Sequence, residues 1–250
     1  PDYASVVYCN ILKKLFPDVP ILLGGIEASL RRFTHYDYWS DKLMPGIQVS
    51  TKADLLVYGM GEKPLLAILD EMKNGKTLRE LHHIPQTSYM IKEVPEHPKW
   101  KTKELVDHET CLKDKKLYAS NFKHIEVESN RYKADRLIQK TGDRYIVVNP
   151  PFQPLSQGEL DASFDLPYTR LPHPKYKGKK IPAYEMIKFS VNLHRGCFGG
   201  CAFCTISAHQ GKFIVSRYRE SILNEVKQIT TMPDFKGYLS DLGGPSANMY

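Results

Sequence analysis

The run Pro20-Ile21-Leu22-Leu23-Gly24-Gly25 is apolar without any polar alternation, so a strand built from it has no face to offer water. Such a strand belongs inside a sheet that helices cover on both sides, and the neighbouring sequence supplies helices. Before it, Ala4, Val7, Tyr8, Ile11, Leu12 and Leu15 recur at helical spacing; after it, Gly24 and Gly25 let the backbone bend into the helical stretch IEASLRR. A second apolar strand follows at 54–59 (DLLVYG), then a helix from Glu62 to Asn74 with Leu65, Ile68, Leu69 and Met72 on one face and Gly75 as its stop. Alternating strand and helix predicts a parallel, doubly wound sheet over residues 1–95. A helix precedes the first strand at Pro1, so this layer is expected to be incomplete, with upstream sequence removed. Between the two strands, HYDYWSDK packs His35, Tyr36, Asp37 and Trp39 into a connection, which fits either an interdomain contact or a substrate wall.

Composition narrows the class. With 42% apolar and 25% charged residues among 250, the chain is neither disordered nor fibrous. No eighteen-residue apolar run and no basic-then-apolar N-terminus occurs, which excludes a spanning helix and a signal peptide and predicts a cytoplasmic protein. Twelve Lys/Arg and eight Asp/Glu fall between Pro98 and Arg144, and prolines crowd 149–160 and 166–178, so residues 96–180 read as a charged helical and Pro-rich linker. Within it and just beyond, Lys175, Lys177, Lys179, Lys180, Lys188 and Arg195 face one acid, Glu185. That strip, in a chain of net charge +7, is either a solvated linker or a contact for a polyanion such as RNA.

Residues 181–250 carry the chemistry. In IKFSVNLH, Ile187, Phe189, Val191 and Leu193 alternate with Lys188, Ser190, Asn192 and His194, the period of a strand. Its polar face lines a lumen if the apolar face packs on helices, or faces solvent if it does not. CFGGCAFC follows at once, then a helix from about Ser216 to Thr230, a strand at 237–242 (GYLSDL) and GGPSANMY. Five cysteines, three of them within eight residues, make a poor disulfide framework and a good metal pattern in a reducing compartment. Cys197, Cys201 and Cys204 have no second paired hook to complete a zinc tetrahedron, whereas three thiolates on a four-iron cluster leave one iron open to a small molecule. Gly199 and Gly200 allow tight wrapping, and Phe203 places an aromatic ring beside the cluster. The competing reading is a zinc knot completed by His194 or His209 in a module that binds RNA without catalysis.

A CxxxCxxC loop directly after the first strand of a βα series resembles the radical S-adenosylmethionine (SAM) superfamily. GGIEASLRR, HYDYWSDK, KADLLVYGMGE, NPPFQPL, FDLPYTRLPHP, IPAYEMIKFSVNLHRGCFGGCAFC and SDLGGPSANMY together are similar to the YgiQ family of radical SAM proteins. The resemblance implies an α/β chain: a partial flavodoxin- or Rossmann-like sheet, like the cobalamin-binding domains of other radical SAM enzymes, followed by the first βα units of a partial TIM barrel. It implies a 4Fe-4S cluster on Cys197, Cys201 and Cys204, SAM at the open iron, and one-electron cleavage to methionine and a 5′-deoxyadenosyl radical. An electron donor of flavodoxin or ferredoxin type goes with that chemistry. Phe203 is expected at the adenine, and Gly243 and Gly244 at the methionine end of SAM, because in a parallel barrel ligands sit at the C-terminal ends of strands. Two departures stand out. The Gly-Gly-Glu common in the superfamily, whose acid meets the SAM amino group, is here Gly243-Gly244-Pro245, and no Asp-x-His-x-x-Gly cobalamin signature occurs. The first domain is therefore read as a scaffold or recognition module. Residues 187–250 have room for two barrel units, so the chain is expected to be a fragment that holds its cluster poorly on its own.

Overall fold

A computed structural model describes residues 3–244 and 249–250; Pro245, which follows the glycine pair in sequence, lies outside the described residues. The chain forms two compact units, Pro1–Gln153 and Pro154–Tyr250.

The first unit runs α1 (Ala4–Leu15), β1 (Leu22–Leu23), α2 (Gly25–Leu30), β2 (His35–Asp37), β3 (Lys42–Met44), α3 (Ile47–Thr51), β4 (Leu55–Val57), α4 (Glu62–Lys73), β5 (Thr87–Ile91), β6 (Thr102–Glu104), α5 (His108–Lys113), α6 (Lys115–Ser129), β7 (Arg136–Thr141) and β8 (Arg144–Val148). Among the described residues it holds a six-stranded sheet in the order β1-β4-β5-β8-β7-β6. The apolar strands are covered on both faces, as their lack of alternation requires. Leu56 joins Leu23, Ala28, Ile47 and Ile146 in one core, while Leu55 and Val57 join Ile68, Leu81, Tyr89 and Val147 in another. Each fully buried leucine, isoleucine or valine among them contributes about 1.5–3 kcal/mol.

The α/β class and the partial Rossmann-like layer hold, and β1 pairs with β4 in parallel as the strand–helix alternation predicts. The remaining order is mixed: β6 and β7 are parallel, and the β4/β5, β5/β8 and β8/β7 pairings are antiparallel. The cause lies after α4. Its connection climbs back to the end of β4, where Tyr58 N donates to Gln86 O at 3.3 Å, so β5 descends beside β4. At the other end, Thr141 pairs with Arg144 across the two-residue turn Gly142-Asp143, with φ of +60° at Gly142.

The stretch expected as a charged linker is thus structural. Residues 96–148 build three strands of the sheet, and the break between units falls at Gln153, within the proline-rich stretch. The charges misled because α6 keeps Lys115, Lys116 and Lys123 exposed, while Arg136–Gln139 are buried one after another. HYDYWSDK forms the β2–β3 hairpin, with Tyr38 and Trp39 exposed at its tip. Buried Asp37 accepts from Tyr3 Oη (2.7 Å), Ser40 Oγ (2.6 Å) and Ser40 N (2.9 Å). The hydrogen bonds from Ser40 and Tyr3 hold its carboxyl down at about 2.

The second unit runs α7 (Gln157–Phe164), α8 (Pro182–Ile187), β9 (Ser190–Asn192), β10 (His194–Arg195), α9 (Ile206–Gln210), β11 (Val215–Ser216), α10 (Arg219–Thr230) and β12 (Asp241–Gly243). β9 and β12 are parallel neighbours, Val191 opposite Leu242 and Asn192 opposite Gly243, with α10 between them in sequence. This is a βαβ unit. Its core is Phe189, Val191, Ile222 and Ile229, flanked by Leu193, Val226 and Phe235. The strand expected from Ile187 to His194 is shorter, since Ile187 ends α8 and His194 opens β10, which pairs antiparallel with β11. No helix among the described residues is long and apolar enough to cross a membrane.

Candidate metal centre

The end of β9 sets the position of everything that follows. Val191 faces the core against α10, and Leu193 N donates to Gly243 O at 2.9 Å, so the two strand ends are tied together. The chain then turns into β10. Gly196 takes φ of +87°, and a Cβ there would lie 2.0 Å from Phe213 O, so only glycine can make this turn. Gly196 N donates to Gln210 Oε1 (3.1 Å) and Cys197 N to Gly211 O (3.1 Å), which close the neck of the cysteine loop.

Within the loop, Cys197 is buried, Cys204 half-buried and Cys201 exposed, and Cys204 N donates to Cys201 O at 3.0 Å. Among the described residues no three His, Cys, Asp or Glu side chains converge to hold a metal ion, so the thiols share one loop without meeting at a point. The donor set itself fits an iron–sulfur cluster: three soft thiols within eight residues, with Gly199 and Gly200 between the first two. Cys9 and Cys111 are buried in the first unit, and burial pushes both thiols up, away from the thiolate a metal needs. Phe203 stands out 90% exposed, beside Cys204.

Gly243 closes β12, and Gly244 follows directly over His194. A Cβ at Gly244 would fall 2.0 Å from the imidazole Cε1 and 2.4 Å from Nε2. His194 is 3% exposed, and among the described residues neither ring nitrogen has a hydrogen-bond partner. Desolvation lowers its pKa and keeps it neutral. A buried polar group left unpaired costs about 1–3 kcal/mol, so this imidazole is a point of unspent hydrogen-bonding capacity. Asn192, which alternation placed on the same polar face, is exposed, and Ser190 is half-buried.

A buried charge network, with no local sequence signal, supports the strand end from behind. Fully buried Arg217 donates to Asn192 O (3.0 Å) and Ser221 Oγ (2.7 Å) and pairs with Glu225, while Phe164 lies 4.2 Å under its guanidinium. Arg170 pairs with the same carboxylate and donates to Ser190 O at 2.9 Å. Asp161 accepts from Tyr218 N, and Ser221 Oγ donates to Asp165 Oδ1 at 2.9 Å. Two arginines, one glutamate and two strand carbonyls therefore lock β9 to α10. These residues lie at 161–170 and 217–225, too far apart for spacing in the sequence to disclose them.

Residues 1–190 match the family model described as Radical SAM N-terminal. The chain belongs to that family. The radical SAM N-terminal match covers the first unit and reaches β9, stopping short of the cysteine loop. Full-length similarity carries the rest. The chain is 61% identical, over all of its length, to a UPF0313 protein of Bacteroides thetaiotaomicron, of which it covers 42%. It is 63% identical to one of Porphyromonas gingivalis, covering 40% of it. It is 40% identical to the UPF0313 protein YgiQ of Salmonella typhimurium, covering 42% of that protein, and the YgiQ resemblance of the motifs stands. The chain spans about two fifths of the length of the curated relatives it matches.

Proposed function

We propose that this chain holds a four-iron four-sulfur cluster on Cys197, Cys201 and Cys204 and binds SAM at the open iron, as part of a radical SAM enzyme. The observation that carries the reading is positional. A three-thiol loop follows the first strand of a parallel βαβ unit by way of the short β10, and the neighbouring strand runs out into Gly243 and Gly244, the latter over His194. Ligands of such sheets bind at the carboxyl ends of strands, where both features lie. When bound, the cluster would supply the single electron that splits SAM into methionine and the 5′-deoxyadenosyl radical.

The chain's own residues would divide the remaining work. Three thiolates hold three irons. Gly243 O is already engaged by Leu193 N, so the methionine end of SAM meets the backbone at Gly244, which carries no side chain of its own and packs on His194. Phe203, free of packing, offers its ring to the adenine. The Arg217 and Arg170 clamps hold the β9 carbonyls, and with them the neck of the loop, in one position. An electron donor of flavodoxin or ferredoxin type would complete the cycle. The site chemistry names no substrate.

Anaerobic reconstitution of the full-length protein tests the reading. A brown protein with about four irons that forms 5′-deoxyadenosine from SAM under reducing conditions supports it. A colourless protein with one zinc that binds RNA would instead support a zinc-stabilised module using the Lys175–Lys180 strip.

A further inference from the structure

We propose that His194 is the side chain that meets the α-ammonium group of SAM, standing where the chain lacks an acidic residue after Gly243-Gly244. The inference rests on the radical SAM reading above and adds a binding residue to it.

The ammonium of an amino acid carries N–H donors and needs acceptors. Glycine at 243 and 244 and proline at 245 supply no side-chain acceptor. The nearest side chain to Gly244 is His194, whose imidazole occupies the volume a Cβ of Gly244 would take. It sits three residues before Cys197, between the thiol loop and the glycine pair. Among the described residues neither of its ring nitrogens has a hydrogen-bond partner, although the residue is only 3% exposed. A buried, unpaired imidazole costs free energy that an apolar side chain of the same bulk would not. Here the ring is polar, desolvated and placed against the one backbone segment at which the methionine end of SAM is expected. Neutral imidazole offers one acceptor nitrogen, and desolvation favours that neutral form. Because Gly244 lies directly over the ring, its backbone must lift to expose that nitrogen, and glycine allows the movement. The ammonium N–H then donates to the unprotonated ring nitrogen.

The test uses two variants of the full-length protein, His194→Leu and His194→Asn. Asn keeps a side-chain acceptor, and Leu keeps only bulk. Iron content and visible absorbance after anaerobic reconstitution report the cluster, and equilibrium dialysis with SAM reports affinity, both without turnover. His194→Leu should bind SAM about tenfold more weakly, equivalent to about 1.4 kcal/mol, while His194→Asn stays within about threefold of the unchanged protein. Equal affinity in His194→Leu overturns the proposal. So does a His194→Asn protein that binds SAM no better than His194→Leu, since the role would then be packing. If His194→Leu loses its iron, His194→Asn decides by the same criteria. Failure of the radical SAM reading itself looks different: the unchanged protein, with its cluster intact, would bind no SAM.

Discussion

Removing the Glu225 carboxylate is the sharpest test of how the cysteine loop is held. Glu225, 11% exposed at its side chain, neutralises Arg217, which is fully buried, and Arg170, which is 22% exposed. In Glu225→Ala, Arg217 keeps the Asn192 carbonyl and Ser221, and its remaining acid is Asp161, 4.0 Å from Nε. Breaking a buried pair by deleting one partner costs about 3–5 kcal/mol, because an uncompensated charge stays buried. The Arg170 arm is partly open to water and adds little, on the order of 0–1 kcal/mol. A loss near 3–4 kcal/mol is therefore expected, against a total of about 5–15 kcal/mol for a domain. At about 4–8 °C per kcal/mol for a unit of this size, the melting transition of the second unit should fall by more than about 10 °C. Circular dichroism melts and urea titrations of both proteins measure it. Replacing the whole network, Glu225→Met with Arg217→Met and Arg170→Met, should cost less than Glu225→Ala alone, since no orphaned charge remains. A loss below about 1 kcal/mol in Glu225→Ala would refute the argument that this network clamps β9 to α10.

Other outcomes follow from particular residues. Alanine at any one of Cys197, Cys201 or Cys204 should abolish the visible absorbance of the reconstituted protein, while Cys9→Ala and Cys111→Ala should leave it intact, and absorbance spectra read both. Gly196→Ala forces a side chain onto φ of +87° and to 2.0 Å from Phe213 O, so it should destabilise the second unit by more than about 2 kcal/mol and lower iron retention, measured by urea titration and iron assay. Asp37 has its carboxyl held at about 2 against 3.8, so the stability it gives is present above the unfolded value and is lost as pH falls toward 2. Asp37→Asn should accordingly be less stable than the parent at pH 7 and equal to it below about pH 2, a convergence that urea titrations across pH would show or deny.

Periodicity along the chain was enough to locate the elements whose environment is uniform. Leu55, Leu56 and Val57 are apolar in succession because water reaches neither face, and the parallel β1/β4 pair lies where that pattern puts it. The cysteine spacing likewise put three thiols on one loop, and the structure has Cys197, Cys201 and Cys204 between β10 and α9. Charge density misled at 96–148, because a sheet strand such as Arg136–Thr141 needs only its own few buried positions, while the helix beside it can carry lysines outward. The Gly142-Asp143 turn was the local signal for that hairpin, and it lay unread inside a charged stretch.

What sequence alone determined, then, is local: which segments can be strands or helices, and which donor atoms sit on one loop. Only tertiary structure decided the direction of β5, set by where a connection after α4 comes to rest against Tyr58. It also brought Arg170, Arg217 and Glu225 together behind β9, and laid Gly244 over an imidazole fifty residues earlier in the chain. Spacing rules reach only as far as one helix turn or one strand pleat, whereas these contacts depend on which surfaces bury one another once the chain has folded.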